Sequence, residues 1–215
     1  MASRPRLDRA TILGAAFEIV EQDGLSKLTM RRLATHLGVA PMAAYRHFAD
    51  RSALVDAMLA AAGSALEAAA PDTDTGWRDG LAGLARGLRN GLLRYPGLIE
   101  AVVARPSLDA ASIRLADRAY RYLLAADVDP RSIERSVALL FGYVLGFVAI
   151  ETPRRTAQAS DLYQDQAAVQ AAYPSIDPAD IPSTVRIAPE ASRFSDEDQF
   201  EFGLAVILDG IAARN

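Results

Sequence analysis

Between positions 29 and 51 the chain sets out Thr29, Arg31, Arg32, Tyr45, Arg46, His47 and Arg51. All are hydrogen-bond donors of the kinds that reach phosphate oxygens and base edges, so the chemistry offered here is recognition of a polyanion. Among them lie Ala40, Pro41, Met42 and Ala43, which present almost only methyl and methylene groups. Their natural complement on a duplex is the thymine C5-methyl. Other chemistries find little support. The chain has no Cys, which removes thiol nucleophiles, disulfides and Cys-based zinc sites. His36 and His47 are its only histidines and fall on different predicted helices, whereas a metal site needs several convergent ligands. No phosphate-cradling Gly loop, Ser/His/Asp set or metal motif is present. The sequence therefore predicts no metal, no cofactor and no enzyme.

The charge distribution agrees with a polyanion-binding head. Residues 1–55 carry eight Lys/Arg and five Asp/Glu, while the rest carries fifteen and twenty-two, inside a formal net charge of −4. No apolar leader is visible, and the uncharged apolar run Val137–Ile150 is shorter than a membrane span. The expectation is a cytoplasmic protein with no membrane partner.

The elements that must position these residues are helical nearly throughout, because Ala and Leu dominate and β-type alternation is scarce. A first helix is predicted from about Asp8 to Asp23, ended by Gly24. Thr29 caps a second, Met30 to about Leu37. Gly38 turns the chain, and Pro41 opens a third. Asp50 caps a fourth, which runs to about residue 70 and bridges two parts: a head at 1–55 and a body at 56–215. Trp77–Tyr95 is predicted as the next helix, stopped by Pro96-Gly97. Gly80, Gly83, Gly87 and Gly91 line one of its faces, leaving room for a neighbouring helix or for a ligand. Helices follow at Gly97–Ala104, Leu108–Ala126 and Arg131–Glu151, the last ended by Pro153. Residues 153–194 hold five of the eleven prolines and are read as a mobile excursion in which only Leu162–Tyr173 is helical. Ser195-Asp196-Glu197-Asp198 opens the last helix with a capping-box pattern, and Phe200, Leu204, Ile207 and Ile211 form its apolar seam.

Residues 29–48 thus have the layout of a helix-turn-helix, with Ala34 at the crossing of its two helices. The stretches Leu28-Thr29-Met30-Arg31-Arg32-Leu33-Ala34, Leu37-Gly38-Val39-Ala40, Tyr45-Arg46-His47-Phe48 and Arg51-Ser52-Ala53-Leu54 resemble the DNA-binding domain of the TetR family of bacterial transcriptional regulators. The resemblance covers about residues 7–55. Tyr95-Pro96-Gly97 and the segment Phe200 to Gly210 are similar to the tetracycline-repressor type of C-terminal domain.

The resemblance implies an all-α homodimer. Two heads would bind a palindromic operator in double-stranded DNA, and a small-molecule effector in the body would release them, making the protein a repressor. It assigns phosphate contacts to Thr29, Tyr45, His47 and Arg51, a base contact to Arg31, and the base-facing start of the recognition helix to Ala40, Pro41, Met42 and Ala43. Arg46 is a second candidate for base reading. Two departures stand out: the recognition helix lacks the polar residues common in the family, and Arg51 replaces the usual Lys. Arg4 and Arg6 form either a minor-groove arm or a solvated tail. The tetracycline repressor's ligand-holding histidine has no counterpart, since residues 56–215 contain no His. An effector pocket would draw instead on Trp77, Tyr95, Arg105, Arg118, Tyr122, Phe141, Tyr143 and Phe147. Gly142 and Gly146 suggest close helix packing, with Phe141, Leu145, Phe200, Leu204, Ile207 and Ile211 expected at a four-helix dimer interface. The alternative is a helical ligand-binding or adaptor protein that has lost specific DNA binding.

Overall fold

The computed structural model describes residues 7–69, 76–104, 110–156, 176–191 and 194–213. Among them every regular element is helical: α1 (Arg9–Asp23), α2 (Met30–His36), α3 (Pro41–Tyr45), α4 (Arg51–Ala69), α5 (Gly76–Leu92), α6 (Ile99–Ala104), α7 (Ala110–Leu124), α8 (Pro130–Thr156), α9 (Pro182–Ala191) and α10 (Asp196–Ala212), with three short 3-10 turns. The chain divides into two compact units, Met1–Ala138 and Leu139–Asn215.

In the first unit, helix ends are written by their caps. The Asp8 carboxylate accepts the Thr11 N–H at 2.8 Å and opens α1. Gly24 closes it at φ +83°, ψ 161°, a conformation essentially reserved for glycine. Thr29 Oγ1 accepts the Arg32 N–H at 3.1 Å to start α2, and Asp50 accepts the Ala53 N–H at 2.8 Å to start α4. The faces these helices turn inward form one core. Ile12, Ala16 and Ile19 of α1 meet Leu28, Leu33, Ala44 and Phe48, with Leu54 and Met58 of α4 beneath them. Leu98 and Ala101 belong to the same core, so the head is packed against α6 as well as α4. Tyr95 lies against Phe17, with ring centroids 5.1 Å apart.

The glycine face of α5 is used for close packing. A Cβ at Gly80 would meet the Tyr122 ring of α7 at 2.5 Å, and one at Gly91 would collide with Leu66 of α4. α5 ends at Leu92, ahead of the predicted Tyr95, and a 3-10 turn at Pro96–Leu98 leads into α6. Arg114 of α7 donates to Glu67 of α4 at 2.5 Å, which holds the Glu67 carboxyl below its usual range.

In the second unit Tyr143, Phe147 and Phe200 form an aromatic cluster, with centroids 5.3–5.8 Å apart. The Tyr143 hydroxyl donates to the Phe200 carbonyl at 2.9 Å. α10 opens with the predicted capping box: Ser195 Oγ accepts the Asp198 N–H, and the Asp198 carboxylate accepts the Ser195 N–H.

Three expectations are corrected. Pro153 does not end α8, which continues to Thr156. A proline this near a helix end removes one late hydrogen bond, and the helix already built before it tolerates the loss. Residues 182–191, read as irregular, are α9; Pro182 occupies its first turn, where a missing N–H is harmless. The predicted Leu162–Tyr173 helix lies outside the described residues. The membrane reading also changes, because Pro130–Thr152 is long and apolar enough to cross a membrane by length and composition. Yet Ile133, Val137, Leu140, Val144 and Val148 are buried along one stripe, the pattern of a helix packed on one face.

The Asp8 cap yields a pH prediction. The hydrogen bonds from Thr11, ahead of the opposing effect of burial, lower the Asp8 pKa from 3.8. A carboxyl depressed on folding contributes stability above its unfolded value, and that contribution disappears as pH falls through the folded value. Asp8→Ala should therefore melt lower than the parent at neutral pH, with the gap closing below the depressed pKa. Asp8→Asn, which keeps an acceptor, should melt close to the parent at neutral pH. Melting curves across that range check both.

Candidate nucleic-acid interface

α2 is short because the chain must turn at once. Its end is a two-bond C-cap: Gly38 N–H bonds to Thr35 O at 3.1 Å and Val39 N–H reaches back to Ala34 O at 3.0 Å, with Gly38 at φ +66°. This is the Schellman arrangement, which needs a residue free to adopt positive φ at C′. Ala34 is buried at the crossing with α3, where its small side chain permits close approach. Ala40 then takes an extended conformation and Pro41 occupies the first turn of α3.

α3 buries Ala44 and leaves Met42 71% and Tyr45 43% exposed. Ala40, Pro41 and Arg46 are also exposed, Ala43 and His47 half-buried, and Phe48 buried. The outward surface of α3 is thus an apolar ridge with a phenol at its end and a guanidinium just beyond. Met42 stands mostly outside the head's core, and its methylenes suit thymine methyls in a major groove.

On the outer face of α2, Lys27, Thr29, Arg31, Arg32, Thr35 and His36 line an open concavity. The guanidinium groups of this region divide into two classes. The Arg31 and Arg46 side chains are exposed and form no hydrogen bond or ion pair among the described residues. Arg32 is paired with Asp23 at the end of α1, and His36 Nε2 lies 2.8 Å from Glu18 of α1. Arg51, expected at a phosphate, donates from Nε to Leu28 O at 2.7 Å and from Nη2 to Leu25 O at 2.8 Å.

Arg9 went unread in the sequence. Its Nη1 donates to His47 O at 2.7 Å and its guanidinium lies 4.2 Å from the centroid of the Phe48 ring. One signal was available: a cation in the first turn of a helix opposes the macrodipole and invites a partner elsewhere.

The expected pocket residues have packing partners of their own. Tyr95 sits against the head and Tyr122 fills the space above Gly80. Tyr143 and Phe147 belong to the aromatic cluster of the second unit. Trp77, Arg118 and Phe141 are half-buried, and Arg105 lies outside the described residues. No group of three or more His, Asp or Glu converges on a metal-sized site among the described residues.

A capped helix-turn-helix with an exposed reading ridge and open cations, on a chain whose described elements are all helical, defines the class: a helix-turn-helix DNA-binding protein. Comparison with known proteins narrows this. The model of the bacterial regulatory proteins of the tetR family matches residues 12–58, and that of the tetracyclin repressor-like C-terminal domain matches residues 70–215. The chain is 31% identical to the tetracycline repressor protein class A from transposon 1721 of Escherichia coli over 212 residues, 97% of this chain and 92% of that one. It is 26% identical to the HTH-type transcriptional repressor DrrR1 of Streptomyces coeruleorubidus, over 97% of this chain and 78% of that one. A solved structure, a possible TetR family transcriptional regulator from Streptomyces coelicolor A3(2), superposes with a TM-score of 0.83 at 28% identity, covering 97% of this chain and 100% of that one. The chain belongs to the TetR family, and is a ligand-responsive DNA-binding regulator of transcription.

The two classes of arginine predict different phenotypes. Arg31→Ala should cost about 1–3 kcal/mol of discrimination and relax preference at one base pair per half-site. Arg32→Ala, which removes an internal tie, should leave base preference unchanged. Binding to a panel of single-base operator variants separates them; a uniform loss across the panel for Arg31→Ala would make it a phosphate contact.

Proposed function

We propose that the chain is a repressor that binds a palindromic operator as a homodimer in the cytoplasm and is released by a small molecule bound in its body. The observation carrying this reading is the exposed ridge of Met42 and Tyr45, set on a turn that buries Ala34 and Ala44 and flanked by open Arg31 and Arg46. Relatives named as repressors support the sign of regulation. The head is residues 1–55 and the body 56–215, with α4 shared, since Leu54, Val55, Met58, Leu59 and Ala62 complete the head's core.

Thr29, Tyr45 and His47 contact phosphates, Arg31 and Arg46 reach bases, and Ala40, Pro41 and Met42 lie over thymine methyls. Asp8 lies close enough to His47 for the two to interact electrostatically, which favours the charged form of the carboxylate. The operator therefore carries thymines under the start of α3 and a guanine near α2. Retardation of DNA from the region flanking the gene tests the assignment. Absence of a shifted band on any local palindrome at low salt would favour the adaptor reading.

We place the dimer surface beside the seam read in the sequence. Phe200, Leu204 and Ile211 are buried within the chain, and Phe141, Leu145 and Ile207 are half-buried. The apolar side chains of α10 left outside are Phe202, 66% exposed, and Val206, 54% exposed. On α8, Leu139 and Ile150 are exposed, and Gly142 and Gly146 between them face open space. Leu139, Gly142, Gly146 and Ile150 recur at helical spacing, so they form a stripe into which a second helix can pack closely. Phe202→Arg with Val206→Arg should give a folded monomer in sedimentation. A dimer that survives both changes would place the interface elsewhere.

A further inference from the structure

We propose that Arg51 is a positioning residue, and that together with Arg9 it clamps the helix-turn-helix at both of its ends. The inference rests on the DNA-binding reading above, but changes what Arg51 does in it. Each arginine is the first residue of a helix, Arg9 of α1 and Arg51 of α4. At that place a cation is disfavoured by the helix dipole and favoured by carbonyl partners. Arg51 spends two N–H groups on Leu25 O and Leu28 O, at 2.8 and 2.7 Å, just ahead of the Thr29 cap. Arg9 spends one on His47 O at 2.7 Å, just after α3, and lies on Phe48. The reading segment from Thr29 to Arg46 is therefore held at its entrance by α4 and at its exit by α1.

The entrance tie matters more for function. Leu28 is fully buried and precedes the cap of the helix carrying Arg31. α4, in turn, packs against α5 and α7. A displacement of the start of α4 is passed through the Arg51 fork to the start of α2, and so to the side chain that reads a base. The planar guanidinium reaches two carbonyls at once from fixed directions, which a lysine ammonium cannot do. Two of the five guanidinium N–H groups are engaged in this way, which holds the head of the side chain against the entrance to α2.

Two measurements on the full-length protein decide the matter, using Arg51→Lys and Arg51→Gln. The first needs no DNA. Amide exchange at Leu28, Arg32 and Leu33 should accelerate about tenfold or more in both variants while the core of α1 stays protected, because each loses the fork. Unchanged exchange would overturn the proposal. The second uses a duplex recovered by the parent protein from a random library. Each phosphate contact contributes about 0.9 to the slope of log affinity against log salt. Arg51→Gln and Arg51→Lys should both keep the parent's slope, and both should relax the base preference set by Arg31. A slope that falls in Arg51→Gln and returns in Arg51→Lys would overturn the proposal and make Arg51 a phosphate contact. If the parent recovers no duplex, the DNA-binding reading fails, and the exchange measurement still decides whether Arg51 holds the turn.

Discussion

A helix of five residues cannot hold itself together. Pro41–Tyr45 has a single turn, no side-chain cap and no room to recover the cost of nucleation. Its shape is imposed from outside. The Schellman turn at Gly38 sets where it begins, Ala34 sets how closely it lies on α2, and buried Ala44 and Phe48 anchor its inner side. This dependence explains why the head is rich in capping and bracing contacts. A reading element with little stability of its own presents Met42 and Tyr45 reproducibly only if its surroundings are rigid.

Some of this was legible in the residues and some was not, for physical reasons. Caps are local, so Thr29, Asp50 and Ser195-Asp198 could be read directly, and all three form the expected bonds. The helix-turn-helix is likewise a local pattern of a cap, small crossing residues and a positive-φ glycine. Long-range side-chain ties have no such signature. Arg51 bonds carbonyls 23 and 26 residues away and Arg9 a carbonyl 38 residues away, and nothing in their neighbours announces it. Composition misled at 182–191, where a proline count suggested loop although Pro182 stands at a helix start.

Periodicity showed its limits on α10. The i, i+4, i+7, i+11 series established an apolar face, but period alone does not say whether a face meets its own chain or a second one. Phe200 answers by stacking on Tyr143 and meeting Phe147 edge-on, while Phe202, two residues on, is exposed. The glycine face of α5 posed a similar choice between packing and ligand space. At Gly80 and Gly91 the volume is already filled by Tyr122 and Leu66.

The bracing has an electrostatic consequence. Of the Lys and Arg side chains described in residues 7–69, Arg9, Arg32 and Arg51 are committed to internal partners, leaving Lys27, Arg31 and Arg46 outward. Of the three committed side chains, only Arg32 faces a carboxylate; Arg9 and Arg51 bond neutral carbonyls and keep their full charge. Counterion release grows with the number of phosphates neutralised, and Lys27, Arg31 and Arg46 are the cations free to move onto one. The acidic balance of residues 56–215 weakens long-range attraction. On the proposed reading the rest of the binding energy comes from fit: methyl contacts from Met42 and its neighbours, hydrogen bonds from Arg31 and Arg46, and phosphates met by Thr29, Tyr45 and His47. Contacts of that kind depend on position to within a fraction of an ångström. On that reading, a small displacement of the head by an effector would weaken such contacts far more than it weakens diffuse attraction.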